Sequence, residues 1–553
     1  MKKFINNNLI FLLPILSGIL LILAYPPYDL EFLIWFALIP LLWFIFSKRI
    51  NLRKALLGGT ICGIIFFGKL FSWLFATYPF EWLGIGMQKN NVFVFILLII
   101  LYVIQTVFLG LFFGVFAWIA KCLIRRIKHL AIRRIEHLLI IPCLWIVLEY
   151  LRAWGFGILY LGKESFLGPH WTFGNLAYTL HNNLVLIQIA DIVGIYGISF
   201  LIVFVSTSLF YLGVKLPNKR MVLIIIFLIL IGSIWYGYGI YQLRSSDVGD
   251  RNSHIIKIAL LQTNFLSGSE FNAYQKTEVF KAVLDLFKSP KAISEKAELV
   301  IAPEGFGIVS LTKNKEIAKY LLKDFWQPGQ VFLENQKVIA NTTSKSRLFY
   351  YDLEKESPIA FHDKMLLVPN GDYLPYLTKA ILNICSFGIG TEYEQRLHQR
   401  GEKINVAHLP AGKAGSSKGN IGGTICSSIV SPEINRKMTK NGAEFLVVVS
   451  SDAPFHGSKT LLAQNLAMSK LRAIENRRYF AQATNMGYSF LLNPKGEIIV
   501  KTSQFGNKIL FSSIYLLNKK TIYTKFNDWI VILAALVLIL FFIKTVIHIR
   551  RFT

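Results

Sequence analysis

A chain of 553 residues that is 54% hydrophobic and 14% aromatic is too long for one ordinary domain and too apolar for a soluble one, so it reads as a membrane protein with a further domain attached. The formal net charge of +27 raises nucleic acid as a partner. The basic residues cluster at the ends of apolar segments, however, so the charge is read as a membrane signal and no nucleic-acid partner is expected. Five cysteines, at positions 62, 122, 143, 385 and 426, show no metal-ligand spacing and imply neither a zinc site nor a disulfide framework.

Apolar runs occupy about residues 9–24, 30–46, 55–76, 92–119, 138–151, 184–213, 221–241 and 528–547, and most reach the roughly 20 residues that cross a bilayer. The run at 138–151 is short, and Trp154 with the apolar residues after it would complete it. Lys2 and Lys3 precede the first run, but no small-residue cleavage site precedes Tyr25 and further spans follow, so it is expected to remain as an uncleaved helix. About eight transmembrane helices put both termini on one side. The segments on that side, 1–8, 47–54, 120–137, 214–221 and 544–553, hold 18 Lys or Arg, against only Lys89, Arg152 and Lys163 in the opposite short loops. The positive-inside rule then places both termini in the cytoplasm and the long segment before the last run outside it. The expected organisation is a membrane domain over 1–242, an extracytoplasmic domain over 243–526, and a last helix with a cytoplasmic tail over 527–553.

Several polar features stand out within the membrane part. KCLIRRIKHLAIRRIEH (121–137) is a topology determinant or a site for anionic lipid head groups. Lys69 marks a polar cavity or snorkels to the outer interface. Glu149 and Arg152, three apart, share one helix turn and are expected to anchor helices. In QIADIVGIYGISF (188–200), Asp191 lies near the outer interface, and Gly194 and Gly197 permit close helix approach.

From about residue 254 the pattern changes. IIKIALLQTNF (255–265), ELVIAPEGF (298–306), KVIANTTS (337–344), RLFYYDL (347–353), NVAHLP, NIGGTICSSIV, EFLVVVSSD and YSFLLNPKGEIIV (488–500) read as strands. YQKTEVFKAVLDLF (274–287) and LLAQNLAMSKLRAIENRRYF (461–480) read as helices, and AGKAGSSKGN (411–420) as a loop. Strands alternating with helices make this an α/β domain.

Three residues end or follow apolar strands: Glu304 after LVIAP, Lys364 in FHDKMLLVP, and Cys426 after GGTI. Each has an ordinary alternative, as a helix cap, a surface charge and a buried hydrophobe respectively. Together they supply the parts of acyl transfer: a thiol nucleophile, a carboxylate that handles its proton, and an ammonium for the developing oxyanion.

The Glu–Lys–Cys order resembles that of the nitrilase (carbon–nitrogen hydrolase) superfamily, and the membrane context resembles the apolipoprotein N-acyltransferases of the bacterial envelope. The similarity runs through WIVLEYLR, QIADIVGIYGISF, ALLQTNF, IAPEG, DKMLLVPNGDYLP, GGTICSS, VVSSDAPF and LRAIENRRYFAQATNMGYS (471–489). The resemblance implies an αββα sandwich on the membrane, with Glu304 as general base, Lys364 as oxyanion stabiliser and Cys426 as the acylated nucleophile. It also implies transfer of an acyl chain from a phospholipid to the N-terminal amine of a diacylglyceryl-cysteine lipoprotein, at the inner membrane and without a cofactor. A nearby Lys364 ammonium is expected to lower the Cys426 pKa.

This chain departs from the pattern in three places. Ser427 and Ser428 stand where the family has an aromatic residue and a glutamate; Asp372 replaces a glutamate and either assists Lys364 or caps a turn; Pro454 replaces a tryptophan in a loop expected to cover the site. Three competing readings remain open: a membrane-tethered amidase or hydrolase, a sensor or transporter with a non-catalytic outer domain, and a Cys385–Cys426 disulfide that removes the nucleophile.

Overall fold

The computed structural model describes residues 9–78, 91–129, 136–214, 218–245, 255–266, 273–340, 343–385, 397–409 and 419–550. Lys2, Lys3, Lys89, residues 130–135 of the basic segment and most of the 411–420 loop lie outside them. Among the described residues, five helices are long and apolar enough to cross a membrane: Leu52–Thr77, Val92–Arg125, His137–Leu159, Ala190–Leu212 and Lys219–Arg244. Three shorter apolar helices, Leu12–Ala24, Glu31–Phe46 and Trp529–Thr545, occupy the positions of the remaining runs.

Glycines let the helices at 52–70 and 91–129 approach closely. A Cβ on Gly59 would lie 2.4 Å from the Phe113 carbonyl, and one on Gly63 would lie 2.6 Å from the Gly110 Cα, so these backbones touch as small-residue membrane interfaces do. The span expected at 138–151 continues as a helix to Leu159, as its trailing apolar residues suggested. The span expected at 184–213 is instead interrupted. Leu184–Ile187 forms one turn, the main helix begins at Ala190, and Gly194 sits at φ 62°, where the Tyr523 ring packs so closely that a Cβ would lie 2.8 Å from it.

Among the described residues, the α/β domain is built on two six-stranded sheets. The first follows the order β12–β1–β2–β3–β4–β5, with β1 Ile255–Gln262, β2 Leu299–Ile301, β3 Val331–Ala340, β4 Thr343–Asp352, β5 Ala360–Asp363 and β12 Lys508–Tyr515. The second follows β11–β10–β9–β8–β7–β6, with β6 Ala407–His408, β7 Asn420–Ile425, β8 Phe445–Ser451, β9 Phe480–Asn485, β10 Phe490–Leu492 and β11 Ile498–Lys501. Side-chain alternation determines what each face meets. Ile256, Ile258 and Leu260 of β1 share one buried cluster with Phe445, Val447 and Val449 of β8, which is the layer between the sheets. Ala259 and Leu261 turn the other way, onto the helix Ala273–Lys288. Full burial of each such aliphatic side chain contributes about 1.5–3 kcal/mol.

Leu446 and Val448 of β8 face the helices Pro432–Lys440 and Lys459–Asn476, and these belong to the same buried cluster as the membrane helices. Met468, Leu471 and Ile474 are thus continuous with Tyr178, Ile195 and Ile198, so one helix layer of the sandwich is also the seat of the domain on the membrane part. Charge reinforces the seat. Arg477, at φ 49° just past the helix end, places Nε 3.0 Å and Nη2 2.8 Å from Asp191 Oδ2, and Nη2 donates to the Gln188 carbonyl at 3.1 Å. Arg472 and Glu475, both fully buried, pair at 3.2 Å, and Arg472 also donates to the Tyr178 hydroxyl. Removing one partner of such a pair strands the other charge. Arg477→Ala is therefore expected to destabilise the detergent-solubilised protein by roughly 3 kcal/mol. Asp191→Ala should add little once Arg477 is gone, and additive losses in a double-mutant thermal-melting cycle would show that the two do not act as a pair.

Candidate active site

β7 runs buried to Ile425, and the chain then reverses at Cys426, which adopts φ 46° and opens a short 3-10 turn, Cys426–Val430. A positive φ at a non-glycine residue is strained, and here it turns the thiol off the strand end, as in other nucleophile elbows. Two contacts hold the elbow. The Tyr350 hydroxyl accepts from Gly423 N at 2.9 Å, and the Ser427 hydroxyl donates to the Leu366 carbonyl, which ties the turn to the loop after β5.

Glu304 follows β2 by three residues, and its N–H donates to the Ser450 carbonyl at 3.3 Å, a link between the ends of the two sheets. Lys364 directly follows β5, with its N–H on the Ser346 carbonyl at 2.8 Å and its own carbonyl accepting from Gly401 N at 2.9 Å. Its Nζ lies 2.8 Å from Asp372 Oδ2 and 3.7 Å from Glu304 Oε1, with only 3% of the side chain exposed. Asp372 does both things expected of it: Oδ2 also accepts from Val368 N at 2.8 Å and so closes a turn.

Glu304, Lys364, Asp372, Cys426 and Ser427 all line one cavity of about 890 Å³. Its other wall belongs to the membrane part, including Val94, Leu97 and Leu101 of the long helix Asn91–His129, Phe156 near the end of the helix His137–Leu159, and Trp171 and Phe173 in the loop after that helix. That loop is clamped from two sides. Glu149 accepts from Asn175 Nδ2 and Leu176 N at 2.9 and 3.0 Å, and Thr172 Oγ1 donates to the Val430 carbonyl just beyond the elbow. The Glu149–Arg152 pair, 3.9 Å apart and buried, therefore positions a cavity wall.

Burial is the largest single influence on every titratable group here, and partners together overturn it at Lys364 and Asp372 but not at Glu304 or Cys426. It raises the Glu304 carboxyl, which the Lys364 ammonium only partly offsets. It works against the Lys364 charge, but Asp372, Glu304 and Cys426 outweigh it and hold the ammonium above its usual range. Asp372 is likewise opposed by burial, yet Lys364 keeps its carboxyl below normal. For Cys426 burial wins: the thiol is pushed up to about 12 although Lys364 pulls it down. The expectation that Lys364 lowers this pKa thus holds for its own contribution and fails for the net value.

The structure separates the supporting residues. Ser427 lines the cavity, whereas the Ser428 side chain is fully buried away from it, with its hydroxyl unpartnered among the described residues. Cys385 and Cys426 are both free thiols, and Cys385 is exposed beyond the helix Tyr376–Ile384, so they form no disulfide. Pro454 lines the cavity in the turn Ala453–Phe455, where Phe455 packs edge-on against Trp73 at 5.3 Å. Lys69 is exposed, 5.7 Å from the Tyr28 ring, and is not among the residues that line this cavity.

One cavity carboxyl was not anticipated. Asp452, after β8, accepts from Thr484 Oγ1 at 3.2 Å, and burial followed by repulsion from Glu304 raises it to about 7. Its signal in the sequence was a carboxylate directly after the run EFLVVVSS, the same strand-end placement that singled out Glu304.

Comparison with known proteins covers both halves of the molecule. The profile of the apolipoprotein N-acyltransferase N-terminal domain matches residues 17–208, and that of the carbon-nitrogen hydrolase domain matches residues 257–516. The chain is 26% identical over 545 residues to the apolipoprotein N-acyltransferase of Geobacter metallireducens, covering 94% of this chain and 92% of that one. To the enzyme of that name from Pasteurella multocida it is 24% identical, covering 98% and 96%, and to that from Thermotoga maritima 25% identical, covering 94% and 90%. With one profile on its membrane half, the other on its two-sheet domain and such relatives along nearly its whole length, the chain belongs to the apolipoprotein N-acyltransferase family within the nitrilase superfamily.

Proposed function

We propose that this bacterial membrane protein transfers an acyl chain from a phospholipid to the N-terminal amine of a diacylglyceryl-cysteine lipoprotein through a thioester on Cys426. The observation that carries this reading is the cavity, which joins a nucleophile, a carboxylate and an ammonium to a wall of membrane-helix side chains. In the first half-reaction Glu304 takes the thiol proton as sulfur attacks the ester carbonyl, and Lys364 stabilises the oxyanion. The tetrahedral adduct collapses and expels the lysophospholipid oxygen, which recovers the proton from Glu304. In the second half-reaction the lipoprotein amine attacks the thioester, Glu304 takes an amine proton, and the thiol is regenerated. Transfer through sulfur divides the exchange into two easier steps and calls for no cofactor.

The loop charges support about eight spans with both termini in the cytoplasm. In that topology a membrane domain, residues 1–242, and a last helix, 527–553, flank a catalytic domain, 243–526, that faces the outer leaflet of the inner membrane. There both lipid-anchored substrates reach the cavity without leaving the bilayer.

Mass spectrometry of a synthetic diacylglyceryl lipopeptide incubated with phospholipid tests the reading. The triacyl product is expected, falling on the order of 10³-fold or more in Cys426→Ala and about 10²–10⁴-fold in Glu304→Gln. Unchanged diacyl lipopeptide together with released free fatty acid would instead make the protein a hydrolase.

The acylation half-reaction, followed as lysophospholipid released per enzyme, has a distinctive pH dependence. Glu304 must be ionised to accept the proton, and its pKa is raised, so the rate climbs with pH through a limb above the ordinary glutamate value of about 4.3. With its pKa at about 12, Cys426 adds no ionisation near neutrality. A rate already at its plateau at or below that ordinary value would point to a preformed thiolate and contradict the general-base role.

A further inference from the structure

The membrane-facing wall of the cavity is mostly apolar, and its one primary amide among the described residues is Gln105, on the helix Asn91–His129. Its side chain is 2% exposed and its amide nitrogen has no acceptor among the described residues. A primary amide buried at membrane depth without a partner is costly, and such groups mark function more often than packing. Gln105 is also held in place. The Tyr160 hydroxyl donates to its Oε1 at 2.7 Å, and the Tyr160 carbonyl accepts from the Tyr373 hydroxyl at 2.7 Å. Tyr373 is the neighbour of Asp372, the carboxylate on Lys364. The amide oxygen is therefore spent on a fixed partner, and the two N–H donors remain as the free end, in a frame tied to the catalytic loop.

A hydrocarbon chain offers nothing to an N–H donor. The acceptors that enter an apolar cavity with an acyl chain are ester carbonyls, and each substrate of the proposed reaction brings at least one that does not react. We propose that Gln105 is a recognition point for the non-reacting ester carbonyl of a glycerolipid, supplied by the phospholipid donor or by the diacylglyceryl group of the acceptor. It is a positioning residue: it sets how the glyceryl group sits while Cys426 and Glu304 act on a bond elsewhere. This role rests on the acyltransferase reading and extends it to substrate selection. A buried neutral hydrogen bond of this kind corresponds to a preference of about 3- to 10-fold.

The test compares the full-length protein with Gln105→Met, which keeps side-chain length and apolar volume. In the donor arm, a diacyl phospholipid is set against an analogue with an ether at the non-transferred position. In the acceptor arm, a diester lipopeptide is set against its diether analogue. The wild type is expected to show a KM lower by about 3- to 10-fold for the ester in one arm, which identifies the source of the carbonyl. Gln105→Met should lose that preference through a rise in KM for the ester substrate toward that for the ether. Tyr160→Phe, which releases the amide oxygen, should shrink the same preference and stands in if the methionine variant does not fold. No ester preference by the wild type in either arm, or a preference that survives in both variants, overturns the proposal. Absence of any triacyl product from the wild type with ester substrates would instead overturn the acyltransferase reading.

Discussion

The site depends on one ammonium placed between two carboxylates. Lys364 is buried, so its charge is tolerable only because Asp372 and Glu304 neutralise it, and their charges only because of Lys364. At Cys426 burial and the nearby carboxylates outweigh the pull of Lys364, which favours a neutral thiol over a thiolate. In the proposed reaction the balance moves in a useful direction. When Glu304 takes the proton its negative charge disappears as the oxyanion forms, so the field of Lys364 passes from the carboxylate to the transition state without any group having to move far. Asp372 keeps the ammonium in place throughout, and its turn with Val368 fixes where it stands.

That charge cluster lies where two differently built halves meet, and it is only as precise as their junction. The helix Lys459–Asn476 serves as a layer of the sandwich and as a surface for the membrane helices, and Arg477 at its end grips Asp191 at the start of a span. The two stretches RAIENRR and QIADIVG therefore meet each other, which accounts physically for why both look distinctive in one chain. The loop carrying Trp171 and Phe173 is fastened to both sides. A cavity with Glu304, Lys364 and Cys426 on one wall and membrane side chains on the other follows from this shared layer.

Much of this was legible in the sequence, for identifiable reasons. Long apolar runs and strand periodicity reveal the two halves because burial imposes them. Glu304, Lys364 and Cys426 were visible because each sits at a strand end, where neighbouring apolar residues make a polar one conspicuous. β3 was read only from Lys337 because Glu334, Asn335 and Gln336 interrupt its apolar pattern. Glu334 and Asn335 are nonetheless buried, satisfied by Ser310 N and by Ser346 Oγ, partners distant in sequence. β12 escaped because its residues are only half-buried beside β1. The net pKa of Cys426 was misjudged because a charged neighbour is inferred easily from a motif, whereas the degree of burial is a property of the assembled fold. The role of Gln105 was invisible for the same reason, since one glutamine in a long apolar run carries no sign of what faces it.

The central claim, that a neutral thiol at Cys426 becomes the acyl carrier, is tested most directly by intact-protein and peptide mass measurement after exposure to phospholipid with no lipoprotein acceptor present. A mass increase of one acyl chain, localised to the peptide bearing Cys426, sensitive to hydroxylamine and discharged on addition of a diacylglyceryl lipopeptide, is the result predicted. An unmodified Cys426 in protein that nevertheless forms triacyl product would contradict the account.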